Sequence, residues 1–179
     1  MTLIFKNYIH LTQEHSKAIL ELRNSEYIRT HMHNSEIIPL ENHLQWLSTL
    51  HNNSTKEYFA LIVDDVIVGS CSWVKDDKEV VSWGIFFVPT INPIISSLSA
   101  YLFIDYLFEK KGFQSLDSQV LKNNPLAFKF NQNLGFSLYE ENNQFYSLSL
   151  HKKEWESNTN NRFITSLKKY LGKIKYEFQ

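Results

Sequence analysis

The stretch with the clearest chemical potential is residues 80–99, where a predicted strand runs into a predicted helix. Residues 80–88 are rich in β-branched and aromatic side chains, as strands are, and Pro89 cannot donate to a sheet. Asn92 and Pro93 signal a helix start, because Asn favours the capping position and proline suits the first turn. A strand that leads into a helix places the free N–H groups of the first helical turn at the end of the strand. Such groups bind phosphate. The pattern predicts an anion site here, and the alternative is an ordinary strand–helix unit.

Other reactive side chains are sparse. His31 and His33 have a spacing used by metal ligands, but no cysteine or third ligand stands at a matching distance, so no metal is predicted. His43 titrates near neutral pH and is a candidate base. The single cysteine, Cys71, lies in a predicted strand and is expected to pack in the core.

The totals favour one folded domain. The chain has 179 residues, 43% hydrophobic residues and a net charge of −1, which argues against disorder and against general nucleic-acid binding. One cysteine excludes an internal disulfide and fits a reducing compartment. Neither a signal peptide nor a membrane-spanning apolar run is visible, so a cytoplasmic protein is expected.

Hydrophobic periodicity predicts an alternation of strands and helices that positions these residues. After a first strand and three helical pieces, three strands form a predicted antiparallel meander, and a long helix follows. A strand, a helix capped by Asn124 and closed at Gly135, and a final hairpin complete the domain. The predicted strands are 3–11, 58–63, 66–74, 80–88, 113–121, 136–140 and 145–150, and the predicted helices are 13–23, 27–32, 40–50, 93–110 and 125–132.

The segment from residue 152 differs from the rest. It is rich in lysine, and Phe163, Leu167, Tyr170, Leu171 and Ile174 recur at helical spacing. This predicts a basic amphipathic helix after a polar linker at 157–161, and hence a domain at 1–151 followed by a tail at 152–179. The tail either packs on its own domain, stays solvated, or docks a partner or a membrane surface.

The order of elements resembles the GNAT superfamily of N-acetyltransferases. Residues 124–136 (NPLAFKFNQNLGF) look like the family's penultimate helix with its closing Gly-Phe. Residues 22–32 (LRNSEYIRTHM), 43–47 (HLQWL) and 58–59 (YF) are similar to one branch, the sugar-nucleotide N-acetyltransferases of pseudaminic acid synthesis. The resemblance covers residues 3–150. It implies an α/β (α+β) fold with a mixed, mainly antiparallel central sheet flanked by helices, here with a C-terminal helical extension.

The resemblance also implies the activity. It is acetyl transfer from acetyl-CoA, without a metal, to the 4-amine of a UDP-linked 4-amino-4,6-dideoxy sugar. The alternatives are a GNAT acting on another amine, such as a protein N-terminus, and a domain that binds without catalysis. Dimerisation is common among relatives, and the sequence leaves a homodimer open.

Several residues acquire roles from the resemblance. The strand end binds the pantetheine arm, the helix start binds the pyrophosphate, and Asn124 contacts the cofactor. The phosphate loop of relatives has glycines and a basic residue, which residues 91–99 lack, so serine hydroxyls are expected to donate instead. The cofactor-binding residues implied are Phe86, Phe87, Val88, Ser96, Ser97, Ser99, Asn124 and Asn131, and the substrate-binding residues are Arg23, Met32, His43, Trp46 and Lys75.

The catalytic residues implied are Asn131, His43 and Tyr139. Many relatives carry a tyrosine at the position of Asn131, where it protonates the leaving thiolate. Asn131 donates a hydrogen bond but releases no useful proton. Tyr139, Tyr146, Tyr101 and water remain as sources of that proton. For the base, Gln119, Ser72 and His43 are candidates, of which only His43 titrates near neutral pH, and a water held by backbone carbonyls is an equal alternative.

Overall fold

The computed structural model of the protein describes residues 1–157 and 161–179. The strands are β1 (Thr2–Asn7), β2 (Lys56–Val63), β3 (Val66–Lys75), β4 (Val81–Phe87), β5 (Ser115–Leu121), β6 (Ser137–Glu141), β7 (Phe145–His151) and β8 (Lys175–Phe178). The α-helices are α1 (Gln13–Asn24), α2 (Glu26–Arg29), α3 (Leu40–Ser48), α4 (Pro93–Glu109), α5 (Pro125–Asn133), α6 (Lys152–Ser157) and α7 (Arg162–Leu171). Within the described ranges, no helix is both long and apolar enough to cross a membrane.

The first compact unit consists of residues 1–74, 84–92 and 173–179. Its strands follow the order β4-β3-β2-β1-β8, in which β1, β2 and β3 are antiparallel neighbours and β8 lies parallel to β1. A hydrophobic cluster that includes Tyr8, Ile19 and Leu50 packs α1 and α3 against β2. Burial of these large side chains stabilises the unit.

The second compact unit consists of residues 75–83 and 93–172. Its strand order is β6-β7-β5-β4, and β5, β7 and β6 are antiparallel neighbours. Helix α4 is apolar on nearly all sides, and most of its residues from Ser96 onward are buried, as expected for a central helix. The pairing of β4 with β5 is parallel and consists of one position, Ser82 opposite Asp117.

Most predicted elements are present, and the predicted mixed, mainly antiparallel sheet with helices is confirmed. Several boundaries differ by a few residues, and the end of the first strand differs most among the predicted strands. The first strand was predicted to reach residue 11 but ends at Asn7, because the Asn7 side chain accepts a hydrogen bond from the N–H of Ile9 at 3.1 Å. That local bond starts a 3₁₀ turn over Tyr8–His10 instead.

The tail is only partly as predicted. Helix α7 is present, and its Ile164 and Leu167 are buried in the second unit, where α7 packs on α4. The helix ends at Leu171, so the prediction that Ile174 continues its apolar stripe is wrong. Residues 175–178 instead form β8, and Phe178 stacks on Phe5 with ring centroids 4.2 Å apart. The predicted linker falls partly on residues 158–160, which lie outside the described residues.

Candidate active site

The end of β4 is held tightly by β3 in the first unit. Gly69 lies so close to the carbonyl oxygen of Phe86 that a Cβ at this position would overlap it. The N–H of Val88 donates to the carbonyl of Val68 at 2.8 Å. Backbone groups of alternate strand residues point to opposite sides, so Phe86 and Val88 face β3, whereas Ile85 and Phe87 direct theirs away from it.

This alternation changes the predicted cofactor contacts. Val88 was expected to offer its backbone to the pantetheine arm, but its N–H already bonds to Val68. Phe86 shares the side of β4 that faces β3. Only every second residue of a strand can present its backbone to one side, so Ile85 and Phe87, which belong to the same predicted pantetheine-binding strand end, direct their backbone groups away from β3.

The serines at the start of α4 direct their hydroxyl groups into the helix. Ser96 and Ser97 donate their hydroxyl hydrogens to the carbonyl of Pro93 at 3.0 and 2.7 Å, and Ser99 donates to the carbonyl of Ile95 at 2.8 Å. All three side chains are buried in the second unit. Their role as phosphate donors in place of the family's glycines stays a prediction, and the backbone of the first helical turn is the other candidate for binding an anion.

Helix α5 is positioned by its two asparagines in the second unit. Asn124 caps the helix, and its side-chain oxygen accepts from the N–H of Ala127 at 3.1 Å. The side-chain oxygen of Asn131 accepts from the indole N–H of Trp83 at 3.2 Å, and its nitrogen donates to the carbonyl of Ala127 at 2.9 Å. Asn131 is only 6% exposed. Its amide ties α5 to β4, and its catalytic and cofactor-binding roles stay predictions.

Tyr139 lies on the surface strand β6 and is 57% exposed. Its hydroxyl donates to the Asp117 carboxylate at 2.9 Å. Partial desolvation and this hydrogen bond to Asp117 raise the pKa of Tyr139, so the phenol is protonated at neutral pH. Lys75, in the same unit, forms an ion pair with Glu79 at 2.7 Å. That ammonium group is engaged within its own turn.

A tethered segment at residues 34–38, which we call the strap, follows α2 in the first unit. Arg23 donates to the carbonyls of Glu36 and Asn34 at 2.7 and 2.6 Å, and Arg29 donates to the carbonyl of Ser35 at 3.1 Å. The Asn24 side chain exchanges two hydrogen bonds of 2.9 Å with the backbone of Ile38.

The guanidinium groups of Arg23 and Arg29, which both donate to the strap, lie near each other. Desolvation and the positive charge of Arg29 lower the pKa of Arg23, although an arginine remains charged at any physiological pH. The hydrogen bonds of both groups run to neutral acceptors, which are backbone carbonyls and the Asn24 side-chain oxygen, and toward the described residues Arg29 uses one of its five donors. The pair is thus suited to an anion. Arg29 lies inside the stretch 22–32 that carried the resemblance, yet the sequence reasoning did not single it out.

His43 and Trp46 lie together on α3. Their ring centroids are 5.7 Å apart, and Trp46 meets Tyr58 edge-on at 4.8 Å. His43 is buried, and its Nε2 atom has no hydrogen-bond partner in the described chain. Burial lowers the pKa of His43, and a hydrogen bond to the backbone of Ser16 opposes the shift without cancelling it. The ring is therefore neutral near pH 7, with an available lone pair on Nε2.

Two other residues singled out from the sequence, Met32 and His31, lie just after α2. Met32 is half-buried just after α2, where its N–H donates to the carbonyl of Arg29 at 3.1 Å. His31 contacts the carbonyl of Tyr27 through Nδ1 at 2.9 Å. Across residues 1–157 and 161–179, no group of three His, Cys, Asp or Glu side chains is arranged to hold a metal ion.

The predicted residues thus fall into two sets, each within one unit. Those of the first unit are Arg23, Met32, His43, Trp46, Phe86, Phe87 and Val88, and those of the second are Lys75, Ser96, Ser97, Ser99, Asn124, Asn131 and Tyr139. The element order, in which α4 connects β4 to β5, is that of an α/β acetyltransferase fold. The chain belongs to the GNAT family of acetyltransferases, because residues 10–152 match the acetyltransferase (GNAT) domain. The predicted family and the predicted N-acetyltransferase class are confirmed.

Three relatives show how far the similarity extends. Acetyltransferase PseH of Campylobacter jejuni subsp. jejuni serotype O:23/36 is 29% identical over 149 residues, 83% of this chain and 94% of the relative. The crystal structure of Campylobacter jejuni N-acetyltransferase PseH in complex with acetyl coenzyme A is 27% identical, with 84% of this chain and 99% of that chain covered and a TM-score of 0.68. Apo FdhC, a nucleotide-linked sugar GNAT, is 18% identical, covers 87% and 89%, has a TM-score of 0.70, and supports the fold alone.

Proposed function

We propose that this protein transfers the acetyl group of acetyl-CoA to the 4-amine of a UDP-linked 4-amino-4,6-dideoxy sugar, in pseudaminic acid biosynthesis. The observation that carries the proposal is the similarity to Campylobacter jejuni N-acetyltransferase PseH, whose crystal structure holds acetyl coenzyme A. The paired guanidinium groups on the strap support a diphosphate-bearing acceptor, because arginine offers a planar fork of donors that matches phosphate.

The acyl donor side rests on backbone groups. Ile85 and Phe87 direct their N–H and C=O away from β3, which suits hydrogen bonding to the amides of a pantetheine arm. The first turn of α4 supplies N–H groups for the pyrophosphate, and no acidic residue lies in that turn to oppose an anion. Gly69 fixes the path of β4 by allowing its close approach at Phe86.

The acceptor side rests on Arg23, Arg29, His43 and Trp46. The guanidinium groups hold the diphosphate, and the aromatic face of Trp46 walls the sugar or base. The neutral amine attacks the thioester carbonyl, so a C–N bond forms and the C–S bond breaks. The proton of the amine passes to a base, for which neutral His43 is the candidate with a lone pair available.

The thiolate that leaves needs a proton of its own. Because Asn131 is buried in hydrogen bonds to Trp83 and Ala127, it is not the source. Tyr139 donates to Asp117, which competes for its proton. We infer that solvent protonates the thiolate and that catalysis comes mainly from holding amine and thioester together.

The test is an acetyl-transfer assay with purified protein, acetyl-CoA and UDP-4-amino-4,6-dideoxy-N-acetyl-β-L-altrosamine. We expect release of free thiol and a sugar heavier by one acetyl group on mass spectrometry. Thiol release with another amine, but not with this sugar, would redirect the proposal to that amine.

Thermal melting with each ligand separates the remaining alternatives. A ligand at 100 times its Kd adds about 2.7 kcal/mol to the free energy of unfolding, which gives a measurable shift in Tm. Shifts with both acetyl-CoA and UDP support the proposal. A shift with acetyl-CoA alone favours an acceptor without a nucleotide, and no shift with either favours a domain that binds neither substrate.

A further inference from the structure

Strand β8 is an edge strand of the first unit's sheet, and one side of β8 pairs with β1. Lys175 donates its N–H to the carbonyl of Met1 at 3.3 Å, and Gln179 donates to the carbonyl of Phe5 at 2.9 Å. Alternate residues of a strand point their backbone groups to opposite sides, so Tyr176 directs its N–H and C=O away from β1. Tyr176 is 49% exposed, and Lys175 and Glu177 are exposed as well. Such a border is a template for another strand.

We propose that two copies of this chain associate by pairing their β8 strands antiparallel, with Tyr176 opposite Tyr176 of the second copy. In this register, Lys175 of each copy stands opposite Glu177 of the other. Directly opposed residues have Cβ atoms about 5 Å apart, and opposite charges there are stabilising. The two tyrosines meet at the symmetry axis, which makes the interface self-complementary, as a two-fold dimer requires.

The charges also select this register over its neighbours. In each β8 strand, only alternate residues direct their backbone groups toward the second copy. Residues of this kind must pair with each other, so alternative registers differ in steps of two. One step in one direction would place Glu177 opposite Glu177, and one step in the other would place Lys175 opposite Lys175. Both shifts oppose like charges, which is destabilising. Among the four residues of β8, only pairing about Tyr176 therefore brings two cation–anion pairs together.

The border strand of the second unit, β6, lacks these properties. Its sequence, Ser-Leu-Tyr-Glu-Glu, has no basic residue, so no self-pairing register can oppose a cation to an anion. Its pairing with β7 is irregular between Leu138 and Glu140. Bulges of this kind protect a border from further pairing. The comparison identifies β8 as the border suited to a second copy.

A short strand pair buries less than the roughly 1,200 Å² of a standard interface, so we expect a weak, concentration-dependent dimer. Sedimentation equilibrium of the full chain, from low micromolar to submillimolar concentration, should show the mass rising from 21.2 kDa toward twice that value. A single monomer mass throughout would overturn the proposal.

A charge exchange tests the register. Lys175→Glu should shift the monomer–dimer equilibrium toward monomer, because it places two carboxylates opposite each other. The double variant Lys175→Glu with Glu177→Lys should restore association, since the pairs are only exchanged. Lys175 stands opposite the uncharged Thr2 of β1, so its replacement places no like charge opposite it within the chain. Equal association of all three proteins would overturn the register.

A cross-link tests the contact directly. Residues opposite each other in a hydrogen-bonded antiparallel pair have Cα atoms about 5.5 Å apart, which a disulfide spans. Tyr176→Cys should therefore form a covalent dimer on mild oxidation, whereas the native Cys71 is buried and gives none. The matched control Ser166→Cys, on the exposed side of α7, should stay monomeric. Dimers of the control alone, or of neither variant, would contradict the proposal.

Discussion

Trp83 and Asn131 are joined by a buried hydrogen bond of 3.2 Å from the indole N–H to the side-chain oxygen. Asn131→Ala leaves that N–H without an acceptor, and an unsatisfied buried donor costs about 1–3 kcal/mol. We expect the free energy of unfolding in urea to fall by that amount, while exposed Gln132→Ala, one residue further along α5, changes little. Equal stability of the two variants would contradict the structural role of Asn131.

Replacing Asn131 by tyrosine extends this test. The family's acid would then be present, but a larger ring must fit where a small amide is buried, and overpacking typically costs about 1–3 kcal/mol. We expect Asn131→Tyr to lower Tm and not to raise kcat. A variant with native Tm and higher kcat would show that proton donation limits the reaction.

Gly69→Ala probes the path of β4 at the acyl-donor side. A Cβ at residue 69 overlaps the Phe86 carbonyl, so the backbone must shift where pantetheine is proposed to bind. We expect weaker acetyl-CoA binding by isothermal titration calorimetry, by about tenfold or more, equivalent to about 1.4 kcal/mol. Gly172→Ala is the matched control, because nothing lies within 4 Å of its added Cβ. Unchanged affinity in Gly69→Ala would remove the end of β4 from the site.

Arg23→Ala should raise KM for the nucleotide sugar and leave KM for acetyl-CoA unchanged. A hydrogen bond to a charged group contributes about 1.5–3 kcal/mol, so the change in KM is expected to be about ten- to one-hundred-fold. Arg29→Ala should act in the same direction. Arg162→Ala, in α7, removes the same side chain elsewhere and should have no effect. If KM changes equally for both substrates, the arginines only stabilise the strap.

His43 links stability to pH. Burial lowers its pKa below the usual value of about 6.5, so the unfolded chain binds a proton more readily than the folded chain does. The stabilisation is present above pH 6.5 and is lost as pH falls through that value toward the folded pKa. We expect the free energy of unfolding, measured in urea, to fall less for His43→Gln than for wild type when the pH is lowered from about 7.5 to below about 6.5. The same pH dependence of the unfolding free energy in His43→Gln and in wild type would refute the linkage.

Tyr139→Phe separates a chemical from a structural role at the surface of β6. Because its hydroxyl is directed to Asp117, we expect kcat to change by less than about tenfold. A general acid contributes about 10²–10⁴-fold, so a larger loss at unchanged Tm would identify Tyr139 as the proton donor.

Most helices and strands could be predicted from local sequence signals. Features that depend on contacts between distant residues could not. The Asn124 cap and the helix beginning at Pro93 were predictable, because capping depends on neighbours in the chain. The hydrogen bonds of the α4 serine hydroxyls to the previous turn were not predictable, since a periodic pattern does not reveal them. Strand β8 was missed because it exists through its partner β1, and residues 171 and 174 happened to continue the helical spacing.

The pairing of β8 with β1 also bears on how the protein is made. Thr2 pairs with Lys175, a separation of 173 positions (175 − 2), so this border of the sheet forms through a very long loop closure. Loop closure of that kind slows folding, and synthesis proceeds from the N-terminal side. During synthesis on the ribosome, this edge of β1 therefore stays unpaired until residue 178 has been added. In that interval, nascent chains depend on chaperones or on rapid completion of the sheet to avoid pairing with one another.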